Sequence, residues 1–208
     1  MDNENYLNSL PDNIKKIDVC NRGLTNLDVS RFINLEILYC NHNHLTSLHL
    51  NENKKLLILY CFNNQLNSLH LNHKLRELYC FQNQLFSLYL NENLEILHCD
   101  DNRLNLLHLL NKNLKIVSCN NNQLNSLHLN ENLQTLYCSN NQLTSLHLNE
   151  NLQILYCNNN QLTSLHLNEN LKMIDYSDNP IDNPINGIIE FIGYVYKGIK
   201  NLIFFYIH

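Results

Sequence analysis

The sequence LYCSNNQLTSLHLNEN at residues 136–151 returns at residues 155–170 as LYCNNNQLTSLHLNEN, and the two copies differ only at Ser139 and Asn158. Aligned on these copies, the chain follows the pattern LxxLxCxxNxLxxLxLxxN at intervals of 19 to 21 residues, and an earlier, less regular copy begins at Ile14. A period of this length is typical of a solenoid, in which each repeat forms one coil and covers its neighbour. The regular copies start at Leu35, Leu56, Leu75, Leu94, Leu114, Leu133, Leu152 and Leu171.

The interior of each coil is predicted from the repeat positions, numbered from the first leucine of each copy. Leu at positions 1, 4, 11, 14 and 16 and Cys at position 6 are expected to point inward, since their burial has to offset the entropy of ordering the chain. Asn at position 9 is expected to be structural as well. An inward amide has both a donor and acceptor, so it can satisfy backbone groups where the chain turns.

Seven of the eight cysteines occupy position 6, and we expect them to pack as small apolar side chains. Their spacing does not fit zinc sites built on CxxC pairs. Neighbouring parallel strands also hold Cβ atoms farther apart than a disulfide prefers. Cys20 lies one residue out of register and is the thiol expected to be exposed. The seven are Cys40, Cys61, Cys80, Cys99, Cys119, Cys138 and Cys157.

The segments LEILYCNHNHL at 35–45 and LQILYCNNNQL at 152–162 match LxxLxLxx(N/C)xL, so the chain resembles the leucine-rich repeat family. In composition it is similar to leucine-rich repeat proteins of large AT-rich DNA viruses. The resemblance implies protein recognition through the parallel sheet. Because 19 residues leave too few for a helix on the return path, we expect an α/β-type repeat solenoid that is mostly β. Its coil is expected to be right-handed, with an extended or 3₁₀ back.

Three parts are expected: an N-terminal cap at 1–13, a solenoid of about nine coils at 14–184, and a C-terminal capping helix at 185–208. Leu7, Leu10 and Ile14 are interpreted as a degenerate half-coil that covers the first strand. Apolar residues between 185 and 206 recur at intervals of three and four residues, the period of an amphipathic helix. The alternatives for that helix are that it lies on a membrane or binds a partner.

Charge and the N-terminal residues limit the partners and the compartment. With 14 basic and 19 acidic side chains the net charge is −5, and no basic stripe is present, so nucleic acid is not an expected partner. A membrane anchor is not expected either, because charged residues interrupt the apolar C-terminal segment. The first residues, MDNENYLNSL, lack the features of a secretory signal, which predicts a cytoplasmic protein, or one in the host cytosol if the source is viral.

The predicted partner-binding surface consists of the outward strand positions 3, 5 and 7, which alternate with the inward Leu and Cys. Tyr contributes contact area at a low entropy cost, and an apolar patch of this extent usually marks an interaction site. The same residue types also favour strands and cross-strand ladders without any partner. The candidate binding residues are Ile37, Tyr39, Ile58, Tyr60, Phe62, Tyr79, Phe81, Ile96, Tyr137, Ile154 and Tyr156.

Other functions are weighed against protein binding. We find no Ser-His-Asp or Cys-His arrangement and no Gly-rich phosphate loop, so no enzyme activity and no cofactor are expected. A row of histidines at position 15 suggests a metal-responsive or pH-responsive binder as one alternative. A structural or decoy repeat without a specific ligand is another. The LHL segment also imitates the LYC segment, so it is a second candidate for the main strand. The row contains His49, His70, His108, His128, His147 and His166.

Overall fold

The computed structural model describes residues 3–181 of the 208-residue chain. The capping helix predicted at 185–208 therefore lies outside the described residues. Within residues 3–181, one helix precedes eleven short strands, and the chain between residues 10 and 181 contains no helix. The extended return path expected from the short repeat is confirmed.

Nine strands, one from each repeat, form the main sheet, and two shorter strands pair on the return path. The LYC segment, rather than the LHL segment, forms the main sheet, as predicted from its Tyr and Ile content. The helix is α1 Asn3–Ser9, and the strands are β1 Lys16–Asp18, β2 Ile37–Tyr39, β3 Ile58–Tyr60, β4 Glu77–Tyr79, β5 Ile96–His98, β6 His108–Leu109, β7 Ile116–Ser118, β8 His128–Leu129, β9 Thr135–Tyr137, β10 Ile154–Tyr156 and β11 Met173–Asp175.

All strand pairs are parallel and in register. The main sheet runs β1-β2-β3-β4-β5-β7-β9-β10-β11, and β6 pairs with β8. Each position therefore lies beside the same position of the next coil, as Leu38 lies beside Leu59 and Tyr39 beside Tyr60. A substitution at one position consequently changes a column of side chains that runs along the whole solenoid.

The core is confirmed at repeat positions 1, 4, 6, 11 and 14, where the Leu, Val and Cys side chains of the regular coils are buried. Position 16 departs from the prediction. Leu50 and Leu109 are buried there, but most others are only partly buried and Leu167 is 39% exposed. The packing there is thus looser than the repeat pattern indicates.

A column of left-handed residues turns the chain three residues after the end of each main strand. Position 8 has a positive φ in every coil, between 51° and 57°. Asn, Asp and His tolerate this conformation better than most side chains, which explains the residues found there. The members are Asn21, His42, Asn63, Gln82, Asp101, Asn121, Asn140, Asn159 and Asp178.

The asparagine at position 9 joins its own coil to the preceding one, as Asn102 illustrates. Its Nδ2 donates to the carbonyls of Cys80 at 3.0 Å and Cys99 at 3.1 Å, and its Oδ1 accepts the backbone N–H of Leu85 at 2.9 Å. The same contacts recur at Asn64, Asn83, Asn122, Asn141 and Asn160. The structural role predicted for this asparagine is confirmed.

A second asparagine column, which sequence reasoning did not single out, holds the opposite corner. Asn149 donates from Nδ2 to the carbonyls of Asn130 at 2.6 Å and Leu133 at 3.1 Å, and its Oδ1 accepts the N–H of Asn151 at 2.9 Å. Asn151 in turn donates to the carbonyl of Glu131 at 2.7 Å. The repeated NEN motif is therefore a hydrogen-bonding device that binds each coil to its predecessor.

A short helix includes Leu7, where the sequence predicted the start of a half-coil, so that part of the prediction is wrong. The segment from Asn3 to Ser9 is α-helical and contains Leu7, whereas Leu10 and Ile14 follow it. All three side chains pack against the core. Arg31 fixes the helix end by donating to the carbonyls of Leu7 at 2.6 Å and Leu10 at 3.0 Å. This segment brings apolar groups to the core without adding a tenth strand to the main sheet. Over residues 3–181, no helix has the length and apolar character to span a membrane.

Candidate functional site

The strand face consists of the outward side chains at positions 3, 5 and 7 of the main sheet. The middle residue of each regular strand is buried, and its two neighbours point to the other side, where they are half-buried. All eleven predicted binding residues lie on this face and are half-buried. They are Ile37, Tyr39, Ile58, Tyr60, Phe62, Tyr79, Phe81, Ile96, Tyr137, Ile154 and Tyr156.

Three tyrosines and a histidine form a continuous stack along position 5. The ring centroids of Tyr39 and Tyr60 lie 4.7 Å apart, and those of Tyr60 and Tyr79 lie 4.3 Å apart, with interplanar angles of 15° and 4°. His98 continues the stack at 5.1 Å from Tyr79. In-register parallel strands impose this arrangement, because their spacing of about 4.8 Å is close to the separation of stacked rings.

Both ends of the tyrosine stack are covered. The Nζ atom of Lys16 lies 4.8 Å from the ring centroid of Tyr39 and covers its outer face. His98 covers the opposite end. The faces of all three tyrosine rings are therefore occupied within the protein, and the stack offers ring edges and hydroxyls to a partner. A ligand that binds by stacking on an aromatic face, such as a nucleobase, finds no free face in this stack.

A second aromatic column runs beside the first at position 7. Phe62 and Phe81 stack at 4.2 Å with an interplanar angle of 10°, and the ring of His42 meets Phe62 edge-on at 5.0 Å. Together the two columns make the coils that begin at Leu35, Leu56 and Leu75 the most aromatic part of the strand face.

A polar cluster interrupts the aromatic columns between β5 and β7. The Oδ1 atom of Asp100 accepts the Ser118 hydroxyl at 2.6 Å, the Asn120 backbone N–H at 2.8 Å and the Asn120 side-chain amide at 2.8 Å. Burial raises the pKa of Asp100. Burial also lowers the pKa of His98, although the nearby Asp100 carboxylate acts in the opposite direction. Beyond the cluster, Tyr137 and Tyr156 stack less closely, at 5.3 Å. The strand face thus has a larger aromatic half and a smaller one.

One carboxylate lies inside the larger aromatic half. Glu77 occupies position 3, where neighbouring coils carry Ile58 and Ile96. Its Oε2 accepts the Tyr79 hydroxyl at 3.2 Å. Burial, followed by the nearby Tyr60 and Glu77, raises the pKa of Tyr79. Sequence reasoning missed Glu77 because it is a departure from the repeat, although that departure is visible in the alignment.

Four well-exposed apolar side chains lie close together in the sequence and outside the strand face. Tyr89 is 80% exposed and Leu110 is 63% exposed, and Phe86 and Leu106 are also well exposed. All four belong to the second halves of two neighbouring coils. The sequence prediction concentrated on strands and did not name them, although each replaces a polar or less exposed residue of the consensus.

The cysteines confirm the packing prediction. The seven at position 6 are buried with free thiols, and burial raises the pKa of each. Cys20 is half-buried instead of exposed, and its Sγ donates to Oδ1 of Asn41 at 2.7 Å. Burial and the neighbouring Asp18 raise the pKa of Cys20 to about 12, so its thiol stays protonated at neutral pH.

The histidine row lies along the return path and is exposed. His108 pairs with His128, and a bridge places His128 beside His147. The imidazoles are arranged in a line along the solenoid axis, whereas a metal site needs ligands that converge on one point. No group of three or more His, Cys, Asp or Glu residues within the described range is positioned to hold a metal ion.

Comparison with known proteins identifies the fold. The chain is similar to the functional domain of InlJ from Listeria monocytogenes, which includes a cysteine ladder, with 29% identity and a TM-score of 0.63 over 80% of this chain and 45% of that one. It is similar to a leucine-rich repeat protein of Leptospira interrogans, with 24% identity and a TM-score of 0.69 over 79% of this chain and 49% of that one. It is also similar to the leucine-rich repeat domain of APL1B, with 24% identity and a TM-score of 0.70 over 80% of this chain and 55% of that one.

The chain spans about half the length of these solved chains, between 45% and 55%. No family profile and no curated protein matches the sequence. The parallel in-register sheet and the likeness to leucine-rich repeat structures agree, and residues 3–181 have the fold of a leucine-rich repeat solenoid.

Proposed function

We propose that the chain is a non-enzymatic leucine-rich repeat protein that binds a protein partner through the aromatic half of its strand face. The observation that carries this proposal is the pair of adjacent aromatic columns, Tyr39–Tyr60–Tyr79 and Phe62–Phe81, held in register by the sheet. Rings already ordered by stacking lose little conformational entropy when a partner covers them. A partner would therefore bind a surface that needs no rearrangement.

The folds of the similar structures support the same role, because leucine-rich repeat solenoids are in general protein-recognition modules. The cysteine column of this chain also corresponds in kind to the cysteine ladder of InlJ. The eight unpaired thiols support a reducing compartment, and we propose the cytoplasm as the site of action. The covered ring faces and the acidic balance of the chain argue against nucleic acid as the partner.

The proposal is tested by the double variant Tyr60→Glu with Phe81→Glu, compared with wild type in affinity capture from cell lysate and mass spectrometry. Two carboxylates placed in the aromatic columns would have to be desolvated by an apolar partner, so capture of that partner should be lost. A candidate partner is then purified, and its binding to both proteins is measured directly by calorimetry. Circular dichroism and thermal unfolding establish that the variant remains folded.

The matched control is His70→Glu with Tyr89→Glu, which places the same charges on the same two coils but outside the strand face. Both control residues are exposed on the return path. Capture should survive in this variant. Equal capture by wild type and the Tyr60/Phe81 variant would contradict the proposal, and repeated failure to capture any specific protein would favour a structural or decoy repeat.

A further inference from the structure

The partner's chemistry is constrained by Glu77, a carboxylate in the aromatic half of the strand face that forms no ion pair within residues 3–181. Between β2 and β5, the outward positions carry Tyr, Phe and Ile together with Asn41 and His98, and the acidic residues among them are Glu77 and Asp100. Asp100 already accepts three hydrogen bonds from Ser118 and Asn120. The four ion pairs found within residues 3–181 do not involve Glu77. Its carboxylate is therefore available for a cation supplied from outside.

The surroundings of Glu77 make binding depend on a positive charge supplied by the partner. The carboxylate is fixed by the Tyr79 hydroxyl at 3.2 Å and lies between Ile58 and Ile96, which pair with it in the neighbouring strands. A partner that covered these apolar groups would exclude water and leave a buried, uncompensated carboxylate, which weakens binding unless the partner brings an opposite charge. In the same environment a matched pair is stronger than on an open surface.

The geometry also determines how a cation would be recognised. Stacking covers the faces of the tyrosine rings, so a cation cannot lie over an aromatic face in this stack. The available groups are the Glu77 carboxylate and the oxygens of the Tyr60 and Tyr79 hydroxyls, which all accept hydrogen bonds. A Lys ammonium or an Arg guanidinium carries several donors and suits such a site.

We propose that Glu77, together with the hydroxyls of Tyr60 and Tyr79, receives one basic side chain of the protein partner, while flanking apolar groups of the partner cover the Tyr and Phe edges. This inference rests on the proposed function and adds the chemical identity of the recognised segment. Position 3 is the specificity-determining position in this coil, since the consensus isoleucine there would accept an apolar group and reject the charge.

The test uses a displayed library of random peptides selected on the full chain and depleted on the Tyr60→Glu, Phe81→Glu variant, so that strand-face binders remain. These peptides should share one Lys or Arg flanked by apolar residues. A binder and its Lys→Met or Arg→Met counterpart are then titrated by fluorescence anisotropy. Wild type should bind the Met peptide about tenfold more weakly than the original binder. For Glu77→Gln, the affinities for the two peptides should differ by less than about twofold.

Glu77→Gln keeps an acceptor for the Tyr79 hydroxyl, so the surface stays intact while the charge is removed. Glu150→Gln, at an exposed corner, is the matched control and should behave as wild type. Selected peptides without a basic position, or an equal loss in wild type and Glu77→Gln, would overturn this inference and leave the proposed function standing. A library in which no peptide survives depletion would overturn the proposed function and this inference with it.

Discussion

At the scale of single residues, two consecutive positions turn each coil. Position 8 adopts a left-handed conformation, and position 9 supplies the amide that fills the corner. A chain that turns inside a solenoid leaves buried backbone groups without strand partners, and leaving them unpaired is costly. Asparagine suits position 9 because one side chain offers two donors and an acceptor. The left-handed conformation at position 8 explains why Asn and Asp recur at that position.

We predict that Asn102→Leu lowers the free energy of unfolding by roughly 3–5 kcal/mol. The leucine has a similar size but leaves the carbonyls of Cys80 and Cys99 and the N–H of Leu85 without their partner. Urea denaturation followed by circular dichroism measures the change. Asn105→Leu, at an exposed position of the same coil, should change stability by less than about 0.5 kcal/mol. A loss below about 1 kcal/mol for Asn102→Leu would show that water or backbone adjustment replaces the amide.

At the scale of elements, the coil rather than the strand is the unit of structure. Each main strand has only three residues, and an isolated strand pair of that length is not stable in water. Its hydrogen bonds, its leucines and both asparagine columns all depend on neighbouring coils. Stability is consequently a sum of contacts between adjacent coils, and one complete coil can be removed without disturbing the others.

We predict that deletion of residues 133–151 leaves a folded protein. The cut joins Asn132 to Leu152, and the junction restores the ENLQ sequence found at both sites. Strand β7 then pairs with β10, and the unfolding free energy falls by roughly a tenth. Far-ultraviolet circular dichroism per residue and a single thermal transition provide the measurement.

Deletion of only residues 133–142 is the matched control, and it should be more harmful although it removes fewer residues. It leaves Leu143 and Leu146 in a half-coil with no strand of its own, whereas both are buried in the complete coil. An unfolded or aggregated 133–151 deletion, or a shorter deletion that is the more stable of the two, would contradict the coil as the unit of structure.

The periodic part of the molecule was predictable from the sequence and the exceptions were not. Leu38, Cys40 and Asn43 recur at fixed positions, and repetition reveals which side chains share a column and face inward. Glu77, by contrast, stands where most other coils carry Ile, and its significance depends on contacts across three strands. The helix at Asn3–Ser9 does not repeat at all, so nothing in the period indicates it.

At the scale of the whole molecule, the columns make the coils respond together. The seven position-6 thiols lie in one continuous core and are all buried. Burial raises the pKa of every one of them, because a thiolate cannot be solvated there. The contributions of the seven thiols to the free energy of unfolding therefore add up along the solenoid. The stability of the molecule should depend strongly on pH on the alkaline side.

We predict that the reduced protein is stable near neutral pH and unfolds cooperatively above about pH 9. In the unfolded chain the thiols ionise near pH 8.5, whereas in the fold they keep their protons. Unfolding then releases protons, so the free energy of unfolding must fall as pH rises, by about 1.4 kcal/mol per pH unit for each thiol. Urea denaturation at a series of pH values, with a non-thiol reductant present, measures this slope.

The control is the double variant Cys99→Ala with Cys119→Ala. It should be less stable than wild type at pH 7, because two buried side chains become smaller, yet its stability should fall less steeply above pH 9. The slope of unfolding free energy against pH should differ between wild type and the variant by the contribution of two thiols, about 2.7 kcal/mol per pH unit. Burial also raises the pKa of Tyr79, so the tyrosines reinforce the same trend only at still higher pH. An unfolding free energy that stays constant from pH 8 to pH 10 would mean that the thiols ionise within the fold, which contradicts a closed cysteine column.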